Sequence, residues 1–557
     1  MTKTFNPITL AKNAPWVFMA VAIHAMLIAG AAIWYVKHEA KKKEEEGTKI
    51  TVSKPREDLP EELVQPPEVI DRKAIPKNEE AELVSFEEDV YIPTTEAQED
   101  LHLDRGDPTA LDNLPSGGTT GGTAIGVGEG GHYGTGKPSP FGGRKLGSGP
   151  KKGRGGGATQ GTEKAVLDGL RWLVRHQNPD GSWGALAMRS RCIPEAPCFD
   201  PKITANEHYD EGLTGLALLC FLGAGFSHES KQDIVDTVMA KRHKIGDVVK
   251  RGLEWLRKRQ NTDGSFTPNR AFMYNEALAT MAMTEAFGLT QNRYWKDPAQ
   301  KGVTHLMESQ RPNPAGQGFW GWRYESRKEI EEGMGTTSDV DMKQKLYMSD
   351  TSVTAWCVMA LKSAQLSGLE VKKEHMDGAM DFCKFVTADN GLVGYMDAKS
   401  AGATVTGPFS EQFTYHPTTM SALGMCIRIF SEHNPDDPFL EQAAKRIVAD
   451  LPTISKNHES LDYYYWYYAS LALNQLDGPD SPKKSGKYWG PWNKAMVDAV
   501  LAIQDHTERA CTNGGWITSD RWGNYSGGGP LYNTAMNVLT LEVYYRYDNA
   551  FGGAKRN

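Results

Sequence analysis

The sequence predicts an all-α fold for residues 161–557: a six-pair α/α toroid, in which helices alternate between an outer and an inner ring. Three observations predict it. An amphipathic helix ending in Gln, followed by a Gly-aromatic turn, recurs along the chain. A second, more apolar helix with a polar start alternates with it. The first kind has one charged face and suits an outer layer, whereas the second is apolar nearly all round and belongs inside.

The elements follow in order. In the first copy Gly169, Trp172, Leu173 and Gln177 precede Asp180-Gly181-Ser182-Trp183. In the second, Arg251, Gly252, Trp255, Leu256 and Gln260 precede Asp263-Gly264-Ser265-Phe266. The third runs from Lys301 through Gln310 to Gly318-Phe319-Trp320, and a degenerate copy from Gly378 through Phe382 to Gly391 and Tyr395. A stretch near 440–456 keeps helical character without the turn, and the last copy places Gln504 before Gly514-Gly515-Trp516. The inner helices begin near Asp210, Asn275, Asp350, His416, Asp462 and Asn533. Polar residues there fit N-cap chemistry, since their side chains satisfy the exposed N–H groups of a first turn. Six alternating pairs can close on themselves, which removes the ends that an open solenoid must cap. The turn is expected to pack its aromatic at the helix end while its Gln bonds backbone groups of a neighbour.

Ahead of the ring, residues 1–13 read as a cytoplasmic N-terminus and residues 14–36 as one transmembrane helix. Ala14 to Val36 carry no formal charge. At 1.5 Å per residue they span a bilayer core of about 30 Å. Trp16 at one end and Trp34 and Tyr35 at the other make an aromatic belt. His24 lies mid-helix, where an ionisable group is costly and therefore a functional candidate. Residues 37–160 read as a disordered linker, Pro/Glu-rich and then Gly-rich, too polar to offset the entropy of ordering. The lysines flanking the helix favour a cytoplasmic C-terminal side; the long linker favours the opposite. The reading places a single-pass membrane protein with its ring periplasmic or extracytoplasmic.

Composition narrows the partners. The 557 residues carry a formal net charge of −8, without the basic domain of a nucleic-acid binder. Seven cysteines are too few for a disulfide scaffold. Cys192 and Cys198, in an insertion after the first turn, are candidates for a loop disulfide. Cys220, Cys357, Cys383 and Cys426 fall within helices as small buried hydrophobes, and Cys511 has no evident partner in the sequence.

The match from Arg251 to Phe266, R-G-x2-W-L-x3-Q-x3-G-x-F, resembles the repeat of the terpenoid cyclase and protein prenyltransferase superfamily, known as prenyltransferase and squalene-oxidase repeats. The resemblance covers about 390 residues and implies the toroid. It does not fix an activity, because one fold hosts many. Squalene and hopene cyclases carry an Asp-x-Asp-Asp acid; the nearest run here, Asp339-Val340-Asp341-Met342, lacks the last Asp. Protein prenyltransferases bind zinc through Asp, Cys and His; here Asp350-Thr351-Ser352 has Ser in place of Cys, so the reading expects no metal and no cofactor. The run Ala20-Val21-Ala22-Ile23-His24 resembles the anchor of TonB-type energy transducers, with Ala20 where that family has Ser.

Candidate cavity residues are the polar inner-helix starts His208, Asp210, Glu211, Asn275, Glu276, Asp350, His416 and Asn533, with Tyr464 and Trp466 from the aromatic run 463–468. Parallel inner helices would point these groups toward one mouth of the ring. Carboxylates and histidines there can do acid/base work, and aromatic faces can stack on flat or cationic ligands. The expected function is a membrane-anchored binding or scaffolding module, with an isoprenoid lipid or glycan as ligand and envelope proteins as partners. The competing readings are an enzyme acting on such a ligand and a TonB-like force-transmitting protein.

Overall fold

The computed structural model describes residues 50–52, 144, 158–193, 197–198, 207–268, 272–334, 340–400, 403–406, 412–414, 418–432, 434–456, 458–520, 522–523, 528–546 and 550. The transmembrane helix read at 14–36, with His24, and His416 lie outside them. No helix among the described residues is long and apolar enough to cross a membrane.

The chain divides into two compact units. In the smaller, Met1–Thr51 with Val405–Gln412, every described residue lies in a strand. The larger, Val52–Thr404 with Phe413–Asn557, holds the helical ring. Its outer helices are α1 (Gln160–Arg175), α3 (Ile245–Arg259), α5 (Arg293–Glu308), α9 (Lys373–Phe385), α11 (Pro438–Val448) and α13 (Trp489–Ala502). Its inner helices are α2 (Asp210–Gly223), α4 (Met273–Thr290), α8 (Thr351–Leu366), α10 (Thr419–Ser431), α12 (Tyr463–Asp477) and α14 (Gly529–Leu541). Two short helices, α6 (Arg327–Met334) and α7 (Val340–Tyr347), occupy an insertion between α5 and α8. A hairpin pairs β1 (Asp233–Asp236) with β2 (Lys241–Lys244) and leads into α3.

The inner helices pack in the order α2, α4, α8, α10, α12, α14 and back to α2, so the ring is closed. Their burial matches their composition. From Met273 to Gly288 of α4 every residue except Tyr274 is buried. Helix α3, by contrast, buries one stripe: Ile245, Gly246, Val248, Val249, Gly252, Leu253 and Leu256. Burying a large aliphatic side chain contributes about 1.5–3 kcal/mol, and the buried apolar core extends over all twelve ring helices.

The repeated Gln is a latch between neighbours. Its amide nitrogen donates to a carbonyl of its own turn and to one at the start of the next outer helix. Gln177 bonds Gly181 O at 3.0 Å and Val248 O of α3 at 2.9 Å. Gln260 bonds Gly264 O at 3.1 Å and Pro298 O of α5 at 2.9 Å. Gln310 bonds Trp320 O at 2.6 Å and His375 O of α9 at 2.9 Å. Gln504 bonds Gly514 O and Ala165 O of α1, both at 2.9 Å, and so joins the last repeat to the first. The turn glycine is forced by geometry. Gly514 has φ 86°, and an added Cβ would meet Asp168 O at 2.4 Å.

The turn aromatics are fixed by the inner helices. In the third copy Trp322, two residues beyond the expected Gly318-Phe319-Trp320, fills the role of the turn aromatic. The backbone N–H groups of Trp183, Trp322 and Trp516 donate to the hydroxyls of Thr214, Thr354 and Thr534, at 2.9, 3.0 and 3.0 Å. Their indole nitrogens donate to Leu173 O, Leu306 O and Val500 O on the preceding outer helices.

The sequence-read linker contributes to the ring: Thr159 and Gln160 cap and open α1, and Arg144, earlier in the chain, packs within it. Arg144 is buried at the end of the barrel where the inner helices finish. It donates to Glu285 of α4 at 2.6 Å, to Leu222 O of α2 at 3.4 Å and to the Arg546 carbonyl at 2.5 Å. Arg546, just beyond α14, bonds Leu219 O at 3.0 Å and Glu285 at 3.2 Å. Cations at the C-terminal ends of helices answer both the helix dipoles and the unpaired last carbonyls.

Candidate functional site: the mouth of the ring

The inner helices begin at one end of the ring, and among the described residues His208, Asp210, Glu211, Asn275, Glu276, Asp350 and Asn533 lie at or near those starts. Most of them are engaged by the protein itself. Glu211 is buried and takes both Nε and Nη2 of Arg259, at 2.6 and 2.5 Å. Glu276 is buried and accepts from Phe266 N at 2.7 Å, Thr267 N at 3.1 Å and the Thr267 hydroxyl. Burial pushes its acid up to about 7 in spite of those three donors. Asp350 caps α8 through Val353 N at 2.8 Å, and burial lifts its acid to about 6. Asn275 donates to His208 O at 2.7 Å, and Asn533 to the Ser519 hydroxyl at 2.8 Å.

The expectation that the polar starts are caps holds for Asp350 and Asp462, whose carboxylates accept from Val353 N and Tyr465 N. Elsewhere the helices begin earlier. Asn275 already lies inside the first turn of α4, and Asn533 a full turn inside α14, so neither can serve an N-cap. Asp210 opens α2 without a side-chain cap. Its carboxylate overhangs Gly184, where an added Cβ would lie 2.5 Å from Oδ2.

Tyr464 reaches the axis. Its hydroxyl meets the Ser352 hydroxyl at 2.6 Å, and Ser352 meets the Tyr274 hydroxyl at 2.6 Å, a chain linking α12, α8 and α4. Trp466 is instead a core residue, edge-on to Tyr463 with centroids 5.6 Å apart. The sequence reading missed Asp520, wholly buried, which accepts from Tyr463 N at 2.9 Å and Gly523 N at 2.7 Å. Burial pushes its acid up to about 7. Its signal was faint, since the Asp follows the last turn motif rather than starting a helix.

Two surfaces at this end remain open to a ligand. The first is a cluster of partly exposed aromatic rings: Tyr209, Phe272, Tyr274 and Tyr324, with exposed His208 beside them. Phe272 stands 5.4 Å from Tyr209, 5.4 Å from Tyr274 and 6.1 Å from Tyr324, the last pair nearly parallel at 14°. The second is a cleft of about 430 Å³ between the first two repeats, lined by Asn178, Asp180, Ser182, Asp210, Trp255 and Arg259 among others. There the Trp255 indole donates to Asp180 at 3.0 Å, and the Arg259 guanidinium lies 4.8 Å over the Trp255 ring.

Cys192 and Cys198 are free thiols, which corrects the expected loop disulfide. Both face His176 Nε2 rather than each other alone, and Cys511 joins them from the last repeat, so it is not partnerless. The expectation of no metal-ligand set overlooked this group, whose members lie in three separate stretches of the sequence.

No family model matches the chain, and no curated protein does. Among solved structures, type II terpene cyclase MstE from Scytonema in complex with geranylgeranyl dihydroxybenzoate is similar at 14% identity and TM-score 0.43, over 69% of this chain and 97% of that one. An inactive variant of the α-1,6-mannanase GH76A of Salegentibacter sp. HEL1_6, in complex with α-1,6-mannotriose, matches at 13% identity and TM-score 0.42. It covers 68% of this chain and 98% of that one. A protein from Actinoplanes matches at 12% identity and TM-score 0.41, over 69% and 99%. The toroid itself rests on the closed helix order and the latches described above.

Proposed function

We propose that the chain is a membrane-anchored binding module whose ring presents its aromatic mouth and the adjoining polar cleft to a hydroxyl-rich ligand, a glycan. The observation that carries this reading is the pairing of half-exposed rings at Tyr209, Phe272, Tyr274 and Tyr324 with a cleft of carboxylate, amide, hydroxyl and indole groups. Sugars present apolar faces that stack on such rings and hydroxyl edges that bond such polar groups. Binding is favoured over turnover because the buried acids of the mouth are committed. Glu211 holds a guanidinium, and Glu276, Asp350 and Asp520 hold backbone N–H groups. The anchor at 14–36 and an extracytoplasmic ring are part of the same proposal, since an envelope glycan would be met there.

The test uses the full chain in detergent, titrated by calorimetry with a panel of neutral oligosaccharides and, separately, with a geranylgeranyl lipid. The expected result is saturable binding of one oligosaccharide class, weakened at least tenfold by Trp255→Ala with Tm unchanged. That factor corresponds to about 1.4 kcal/mol. Binding of the lipid alone would overturn the glycan. Release of new reducing ends, abolished by Asp210→Asn, would overturn binding in favour of catalysis.

A further inference from the structure

Behind the first turn, away from the mouth chemistry, four side chains converge in the interior. His176 is the C-cap residue of α1. Cys192 and Cys198 come from the insertion between α1 and α2, and Cys511 from the loop between α13 and α14. The three sulfurs lie 3.7, 3.4 and 3.2 Å from His176 Nε2, and all four ligand atoms fall within 4.8 Å of one another. All four residues are buried.

We propose that His176, Cys192, Cys198 and Cys511 bind one zinc ion as a closed structural site that fastens the first repeat of the ring to the last.

The spacing has the dimensions of a tetrahedron around zinc. Zn–S bonds of about 2.3 Å and a Zn–N bond of about 2.0–2.1 Å put N···S edges at roughly 3.6 Å, and the observed N···S separations bracket that value. The imidazole is oriented for the task. His176 Nδ1 lies 2.7 Å from Trp172 O, which can only accept, so Nδ1 carries the proton and Nε2 turns its lone pair to the sulfurs. The Trp172 ring stacks on the imidazole at 3.9 Å and fixes its plane. Arg175 holds the third strand of the site in place. It donates to Cys511 O at 2.8 Å and Asn513 O at 3.1 Å, and is itself clamped by Asp236 of β1 at 2.9 Å.

The donor set selects the metal and the role. Three thiolates and one imidazole suit zinc, and hard cations such as magnesium or calcium would find no oxygen here. Four protein ligands in a buried site leave no position for a substrate, the hallmark of a structural centre. On binding, each of the three thiols gives up its proton to solvent and forms a Zn–S bond, with no change in oxidation state. His176 and Cys511 stand 335 residues apart, so the metal would close a loop that contains every helix of the ring except α1 and α14.

The experiment is metal analysis of the full chain purified without metal-affinity steps, alongside alkylation of its thiols before and after chelation. The expected result is close to one zinc per chain, with Cys192, Cys198 and Cys511 protected until a chelator is added. Replacement by cobalt(II) should give the intense visible bands of a tetrahedral thiolate site. Cys511→Ser should cut the zinc content at least tenfold, whereas Cys220→Ser should keep it. If Cys511→Ser fails to fold, the alkylation pattern and cobalt spectrum of the unaltered chain still decide. A metal-free chain with Cys192 and Cys198 joined in a disulfide would overturn the proposal. So would thiols alkylated equally with and without chelator.

Discussion

The two ends of the inner barrel differ in what meets their buried carboxylates: mainly backbone N–H groups at the mouth, and the guanidinium groups of Arg144 and Arg546 at the base, where Glu285 and Glu542 are both buried. At the mouth, where helices begin, the buried groups are Glu211, Glu276, Asp350 and Asp520. At the base, where helices end, Arg144 and Arg546 reach the last carbonyls of α2 and share Glu285. Parallel helices add their dipoles, so one end of the barrel carries exposed N–H groups and the other exposed carbonyls. The two arginines at the base and the carboxylates that accept N–H groups at the mouth follow that field, whereas Glu285 and Glu542 at the base are matched by the arginines. The lesson is that a carboxylate at the mouth is first a counterpart to backbone N–H groups. Its presence there is weak evidence for acid/base catalysis.

The comparison can be broken most sharply at the base. Glu285→Leu would leave two buried guanidinium groups without their shared carboxylate. The expected loss of stability is about 3–5 kcal/mol, read by urea unfolding. A loss below about 1 kcal/mol would mean that the base behaves as an exposed surface pair.

At the mouth the expected effect is one of pH. Glu276 has a folded pKa of about 7 against an ordinary 4.5, because burial disfavours its charge. Between those values the folded state holds a proton that the unfolded state has released. This contribution to stability is therefore complete below pH 4.5 and is lost as pH rises through 7. It amounts to roughly 3 kcal/mol. Glu276→Gln should flatten the fall in unfolding free energy between pH 5 and 8 relative to the unaltered chain. An unchanged slope would show that its hydrogen bonds outweigh its burial.

The smallest effect sharpens the axis between the two ends. Ser352→Ala removes the hydroxyl bridging Tyr274 and Tyr464. The expected cost is about 1–2 kcal/mol, with no change in the pH slope.

How much of this was legible in the sequence depends on the range of the interaction that wrote it. The Gln and Gly-aromatic turn lies within one repeat and recurs, so both its existence and its neighbour-binding role could be read. The threonines that hold the turn aromatics were readable too and were passed over. Thr214 and Thr354 each stand four residues after an acidic helix start, one turn along the same face. The acids could be read as helix starts, as caps or as acid/base groups alike, because sequence cannot show which N–H group a carboxylate will meet. The His-Cys cluster escaped because its residues have no shared motif. Only ring closure brings Cys511 to His176. Arg144 escaped because it stands alone among residues of linker composition.

The contact between Arg144 and the Arg546 carbonyl has a further consequence. The chain entering the ring and the chain leaving it meet at the base, so the order in which the repeats are encoded is one of six equivalent starting points. A circular permutant, joined near this contact and opened between two other repeats, would keep the four glutamine latches, which are hydrogen bonds and do not depend on where the chain is cut. The ring thus has a topology its polypeptide does not: the fold is cyclic, and only the peptide backbone is linear.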